Sequence, residues 1–441
     1  MAASSVVGPP QGGASQASGA GPAREHPSPP FPERGLGEKS ILYAWEFGAG
    51  LGHIGTFLPV ARELRARGHT IHWAVAHPHQ AVQLLPRDGF AWLQAPTFPE
   101  QRRDGPPLNY ADILLRFGYG HAGDLLGLTV AWRELLRLSG TQIVLADHAP
   151  TAILAARTLD IPVMLFGSGF FAPPQMSPTP NLRPWTSVPI EQLQQADALA
   201  LASMNAVLAQ FGKPALESVA ELFLVAEDAL LTFPELDHYA QRGPAKYWGM
   251  LPAAVASPPQ WPQVSGPRVF AYLRPESAHL EATLQALSQL NAAVLIFAPG
   301  LSTELQTRYA SSHLHFSPEP VDLASVVRQA DAGVTYASLA TTLSFLMAGK
   351  PVLMTPSHLE QFLGAKRVVD MGAGLLQNPE QPPAELAAML ARVLSEPVFR
   401  DNAQAFARKY ANFDQAAVLG HIVRRIEEIV NVHPPEDKGT P

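Results

Sequence analysis

Residues 330–361 constrain the fold more tightly than any other stretch of the chain. Ala332-Gly333-Val334 closes a short apolar run, and small or hydroxyl residues follow through Tyr336-Ala337-Ser338. Thr341 and Thr342 then open an apolar helical segment that Gly349 ends, and Pro351-Val352-Leu353-Met354 reads as the next buried strand. Strand, turn, helix, strand in so short a span implies a parallel sheet with crossover helices. The helix start, with its unpaired N–H groups and positive dipole end, is a ready anion site.

The rest of the chain repeats this alternation. Residues 40–47 form a strand, residues 48–55 a glycine-rich turn, and residues 56–67 an amphipathic helix with Pro59 in its first turn and Gly68 as its stop. Residues 70–76 are the second strand of that βαβ unit. Looser sequence over 95–123 suits long loops and short helices above a cleft. The strand 142–147 ends in Asp147, and a helix over 149–159 leads to the strand 161–166. A proline-rich insertion (173–189) and a helical stretch to residue 222 precede a last strand at 228–233. The Pro- and Gly-dense segment 244–267 reads as a linker.

A second α/β unit opens with the strand 268–273, followed by a helix over 276–290, strands at 293–297 and 313–316, and a helix over 323–329. After Glu360 come a helix to residue 371, helices from residue 383, and a long final helix beginning at residue 415. The expected architecture is α/β: two doubly wound, Rossmann-like domains (39–243 and 268–414) facing each other across a cleft. The helix 415–432 is expected to pack back on the first domain. Ligands in such sheets bind at the carboxyl ends of the strands.

Composition removes whole classes of function. With 441 residues, two or three domains are the prior. A net charge of −7 and the lack of any Lys/Arg run argue against a nucleic-acid partner. The chain has no cysteine, hence no disulfide framework, thiolate metal site or cysteine nucleophile. No apolar run reaches transmembrane length, and residues 1–38, rich in Gly, Pro, Ser and Ala, read as a disordered extension without a signal-peptide core. A cytoplasmic location is the default expectation.

Gly50-x-Gly52-x-x-Gly55 matches a dinucleotide fingerprint and sits between a strand and a helix. The second strand, however, ends in Ala76-His77-Pro78-His79, without the acid that a ribose would need. His53 stands in this turn, where a helix N-terminus keeps an imidazole neutral and fit to be a general base. Asp147 ends a strand of the same sheet on the same edge, and could hold the far ring nitrogen; it could also cap the helix that follows. His77, His79, His148, His313 and His315 form no metal set and read as surface or packing residues.

Together these residues resemble the family-1-like glycosyltransferases of the GT-B fold (the UDP-glycosyltransferase and macrolide-transferase type) over residues 40–432. Gly52-His53-Ile54 with Pro59-Val60-Ala61 and Arg67-Gly68-His69 is similar to that family's opening loop and helix. Thr341-Thr342-Leu343, Ala348-Gly349-Lys350-Pro351-Val352, Pro356, Glu360-Gln361 and Gly372-Ala373-Gly374 follow its donor signature in order and spacing. The resemblance implies an inverting, metal-independent transferase with no cofactor beyond the nucleotide diphosphate sugar it consumes. His53 matches the family's base and Asp147 its supporting acid. Tyr336, Ser338, Thr341 and Thr342 match donor-diphosphate positions, Glu360 and Gln361 donor-sugar positions, and Pro320 and Val321 the nucleobase loop. Gly50 and Gly52 belong to the glycine-rich loop.

The chain departs from the pattern at Tyr336-Ala337-Ser338, where the family usually carries His-Gly-Gly. Arg274 is the candidate to supply the lost charge. The expected partners are a nucleotide-sugar donor and a small acceptor, with the chain a monomer or weak homodimer. The apolar character of 95–123 and 167–190, including Phe117, Tyr119, Phe170, Phe171, Met176 and Trp185, points to a lipophilic acceptor. A non-catalytic nucleotide-sugar-binding protein and a sugar-nucleotide 2-epimerase are the alternatives.

Overall fold

The computed structural model describes residues 38–48, 50–252, 256–382 and 385–432. Residues 1–37, read as a disordered extension, lie outside them.

The apolar runs at 40–47 and 142–147 become central strands of a five-stranded sheet, and the run at 161–166 one of its edges. Its strands are β1 (Ser40–Trp45), β2 (Thr70–Val75), β3 (Leu93–Gln94), β4 (Ile143–Asp147) and β5 (Val163–Leu165), in the order β3-β2-β1-β4-β5. Every pairing is parallel. β1 and β4 are buried along their whole length, as parallel strands covered on both faces must be. One face of β1 places Leu42 and Ala44 against the helices Ala122–Leu138, Pro150–Thr158 and Ile190–Gln210. The other places Ile41, Tyr43 and Trp45 against the helix Leu51–Ala66.

The second sheet has six strands: β6 (Arg268–Tyr272), β7 (Ala293–Phe297), β8 (Leu314–Ser317), β9 (Ala332–Thr335), β10 (Val352–Met354) and β11 (Gly374–Leu376). Their order is β11-β10-β9-β6-β7-β8, again parallel throughout. The final helix, Gln415–Val432, does not stay with this sheet. Ile422, Val423, Ile426, Ile429 and Val430 are buried in the cluster formed by β1, β4 and the Leu51–Ala66 helix. Arg425 pairs with Glu227 at 2.8 Å, and Glu427 meets both Arg67 and His69.

Several expectations need correction. The first helix begins at Leu51, five residues before 56, so Gly52, His53 and Gly55 are helical and Pro59 lies inside the helix. Pro59 is accommodated there although it removes one intrahelical bond. Residues 228–233 form no strand; only isolated bridges join Glu227 to Met164 and Leu230 to Tyr247. The 276–290 helix is shorter, Leu280–Ser288. Two short edge strands, β3 and β11, were not anticipated.

Candidate active site

The parallel register sets Trp45 of β1 beside Asp147 of β4, so both strands end at one edge. Gly50, with φ of 123°, turns the chain into the helix as its N-cap without any side-chain cap. That puts His53 in the first turn, its ring stacked on Trp45 at 4.7 Å between centroids. His53 Nδ1 lies 2.8 Å from Asp147 Oδ2. A carboxylate can only accept, so Nδ1 carries the proton and Nε2 presents a lone pair. Nε2 faces Gly48: a Cβ built there would stand 3.3 Å from it, and Gly48 has φ of 84°. Glycine therefore keeps the space in front of that nitrogen open.

The electrostatics differ from the sequence reading. The helix end was expected to keep His53 neutral. Burial does pull the imidazole pKa down, but the Asp147 carboxylate, assisted by Glu360, more than offsets it and raises it above the ordinary value. Asp147 does not cap the following helix either. The N-cap of Pro150–Thr158 is Ala149, and the Thr151 N–H donates to Glu46 Oε2 at 2.9 Å. Burial pushes the Glu46 carboxyl to about 8. Asp147 is instead braced by Tyr43, whose hydroxyl lies 2.6 Å from Oδ2 and 2.7 Å from the His53 carbonyl. Tyr43 and Glu46 were both missed, since within an apolar strand run they read as core and strand end.

On the second sheet, the helix Leu339–Met347 starts after Ser338, whose side chain makes no cap. Its first internal bond is Thr342 N–H to the Ser338 carbonyl, so the N–H groups of Leu339, Ala340 and Thr341 precede it. Thr341 and Thr342 are each 4% exposed, and the Thr342 hydroxyl faces Thr335 Oγ1 at 3.4 Å. Thr342, expected at the donor diphosphate, directs its hydroxyl to β9. Ser338 Oγ is buried and closes no well-formed hydrogen bond, although the Tyr336 hydroxyl interacts with it. Ala337 holds a left-handed φ of 63° and its N–H donates to Thr335 Oγ1. Tyr336 packs edge-on to Tyr272 at 4.9 Å, with the Arg274 guanidinium 5.7 Å from its ring centre.

Glu360 and Gln361 open the helix Leu359–Asp370. Ser168, just after β5, donates to Glu360 Oε1 at 3.1 Å, so this helix start reaches the edge that carries His53. Glu360 is pushed up to about 7, chiefly by burial, with the His53 charge opposing. His358 falls to about 4, through burial and then the neighbouring His53 charge. Gln361 Oε1 accepts from the Ser357 N–H at 2.9 Å, steadying its own loop. Pro320 and Val321 lie in a loop pinned by backbone bonds to Ser257, with Val321 packed on the cluster that holds Ala337 and Leu343. Gly50 N–H donates to Gln80 Oε1, and Gly52 has open space around it.

The expected acceptor residues divide. Phe117 stacks on Phe47 at 4.4 Å, and Phe170 and Phe171 are buried close to His53 and His148. Tyr119 is fully buried and bonded to Thr151, a core residue and no wall of a cleft. Trp185 and Met176 are exposed, and Trp185 reaches across to Phe362 at 5.3 Å. His148, read as surface or packing, is buried beside the His53 site. Among the described residues, no three His, Asp or Glu side chains are grouped to hold a metal, and no helix is long and apolar enough to cross a membrane.

No family model matches the chain. A PGL/p-HBAD biosynthesis glycosyltransferase of Mycobacterium tuberculosis (strain ATCC 25618 / H37Rv) is 25% identical over 426 residues, covering 87% of this chain and 92% of the relative. Among solved structures, glycosyltransferase VinC in complex with dTDP matches with a TM-score of 0.59 at 20% identity, over 88% of this chain and 99% of its own. Spinosyn rhamnosyltransferase SpnG complexed with spinosyn aglycone matches at 0.60 and 18%, over 87% and 100%. SsfS6 of Streptomyces sp. SF2575, complexed with thymidine diphosphate, matches at 0.58 and 19%, over 88% and 99%. The chain and these enzymes share one fold.

Proposed function

We propose that this GT-B glycosyltransferase is an inverting, metal-independent enzyme that moves a sugar from a nucleoside diphosphate sugar to a hydroxyl of a small apolar acceptor. The observation that carries the reading is His53. Its Nδ1 is tied to Asp147 at 2.8 Å and its Nε2 faces open space over Gly48. A base so held takes a proton without moving, and the Asp147 carboxylate stabilises the imidazolium that results.

The acceptor O–H proton passes to His53 Nε2, and the oxygen forms a bond to the anomeric carbon. The bond from that carbon to the diphosphate oxygen breaks, and its electron pair leaves with the nucleoside diphosphate. Attack on the face opposite the leaving group inverts the configuration. The free N–H groups at the start of the Leu339–Met347 helix, with Ser338 beside them, are suited to the charge developing on the diphosphate. Glu360, which accepts a bond from Ser168, is suited to accept bonds from donor-sugar hydroxyls as well. The diphosphates bound by VinC and SsfS6 support a nucleoside diphosphate as leaving group, and the aromatic surroundings of His53 support an apolar acceptor.

Thermal-shift screening of UDP-, dTDP- and GDP-sugars identifies the donor, since a ligand of the native state raises its stability. With that donor, His53→Ala should lower turnover by about 10²–10⁴ and leave donor binding intact by calorimetry. Turnover retained in His53→Ala sinks the assignment of the base, and loss of activity on chelation sinks metal independence.

A further inference from the structure

His148 has a use that packing does not explain. It follows Asp147 directly, takes a left-handed φ of 46°, and is 7% exposed. Its ring lies flat on Phe171 at 3.7 Å, with Phe47 and Phe170 edge-on. Neither ring nitrogen has a hydrogen-bond partner. Each buried unpaired polar group costs about 1–3 kcal/mol, and a phenylalanine would fill the same aromatic slot without that cost.

Its position says what the nitrogens meet. A Cβ at Gly48 would stand 3.3 Å from His53 Nε2 and 3.7 Å from His148 Nδ1. Two imidazole nitrogens on different rings thus face one small space, kept open by a residue without a side chain. His53 offers a lone pair there, because its proton is on Nδ1. His148 can offer the complement, an Nδ1–H.

We propose that His148 is a second contact for the acceptor: its Nδ1–H donates to the same hydroxyl oxygen whose proton His53 Nε2 removes. This rests on the glycosyl-transfer reading of the site. An oxygen held this way has its O–H aimed at the base and a donor aimed at its lone pair, where negative charge grows as the proton leaves. Burial, together with the neighbouring His53, holds the His148 imidazole pKa well below its ordinary value, so the ring stays neutral and does not compete for the proton. His148 accordingly acts as a fixed dipole and His53 as the base.

The test compares His148→Phe, which keeps the aromatic slot, with His148→Asn, which keeps an N–H donor and tolerates a left-handed backbone. Near-UV circular dichroism checks that both fold. The probes are 4-nitrophenol, an acidic hydroxyl, and 4-methylphenol, a weakly acidic one. In His148→Phe, 4-nitrophenol should bind at least tenfold more weakly by calorimetry. Transfer to 4-methylphenol should fall about tenfold further than transfer to 4-nitrophenol, because the less acidic oxygen relies more on the lost donor. His148→Asn should recover part of both losses. Unchanged 4-nitrophenol binding in His148→Phe overturns the proposal, as does an equal loss for both phenols that His148→Asn fails to relieve. If the unaltered enzyme binds 4-nitrophenol through His148 yet transfers no sugar, glycosyl transfer falls and the contact stands. Transfer that is indifferent to His148 gives the reverse.

Discussion

The Tyr43 hydroxyl lies 2.6 Å from Asp147 Oδ2, the oxygen that also meets His53 Nδ1. One carboxylate oxygen therefore carries both the His53 imidazole and a buried phenol, and its direction is fixed from two sides. Tyr43 itself is stacked on Phe57 at 4.5 Å and fully buried.

Tyr43→Phe should keep the stack and remove the brace. The expected cost is about 1–3 kcal/mol of stability, with kcat lowered about tenfold and donor affinity unchanged. Chemical denaturation and calorimetry separate the two effects, and a kcat equal to wild type would show that Asp147 needs no second support.

His53 is the group whose protonation should govern the rate. Its pKa is raised above 6.5, with Asp147 and Glu360 both pulling upward against burial. The active, neutral form grows as pH rises through that value, so kcat/KM should climb along an acidic limb centred above pH 6.5. Glu360→Gln removes one upward pull and should move this limb to lower pH, while Asp147→Asn should move it further and slow the reaction. A limb that stays in place in Glu360→Gln breaks the link between the two sides of the cleft.

Ala337 sits at φ of 63°, where an L side chain is strained by roughly 1–2 kcal/mol. Ala337→Gly relieves that strain at an entropic cost of roughly 0.5–1 kcal/mol. The substitution should therefore be neutral or slightly stabilising in a urea titration, whereas Ala337→Val should destabilise. A loss above about 1 kcal/mol in Ala337→Gly contradicts the strain.

Arg274 stands over Tyr336 and 3.6 Å from Glu276, half-buried just past the carboxyl end of β6. If it supplies the phosphate charge expected of it, Arg274→Ala should raise the donor Kd about tenfold with little change in kcat. An unchanged Kd by calorimetry removes Arg274 from the donor site.

The sequence was most legible where apolar runs are continuous and caps are explicit. β7 coincides with its expected span, as does the helix Leu323–Gln329, whose start is fixed by Asp322 accepting from Ala324 and Ser325 N–H. The His53–Asp147 pair could be anticipated because Asp147 ends the strand beside β1, at the same sheet edge where the chain leaves β1 for the segment that carries His53. Short edge strands could not: β3 is two exposed residues without an apolar run. Nor could side-chain partnerships across the chain, such as Ser168 with Glu360, or Glu46 capping a helix more than a hundred residues away. The first helix was misplaced because glycines read as a turn, although only Gly50 among Gly50, Gly52 and Gly55 takes a left-handed φ.

The helix Gln415–Val432, which buries Ile422, Ile426 and Val430 against β1 and the first helix, bears on how the protein is made. Synthesis runs from the amino end, so the first sheet emerges early with part of one apolar face uncovered, and its missing cover follows only after the whole second sheet. A chain stopped at residue 414 should thus bind a hydrophobic dye and aggregate, and adding the 415–432 peptide in trans should suppress both. A soluble, dye-silent product ending at 414 would show that the nascent first half finds another way to shield that face.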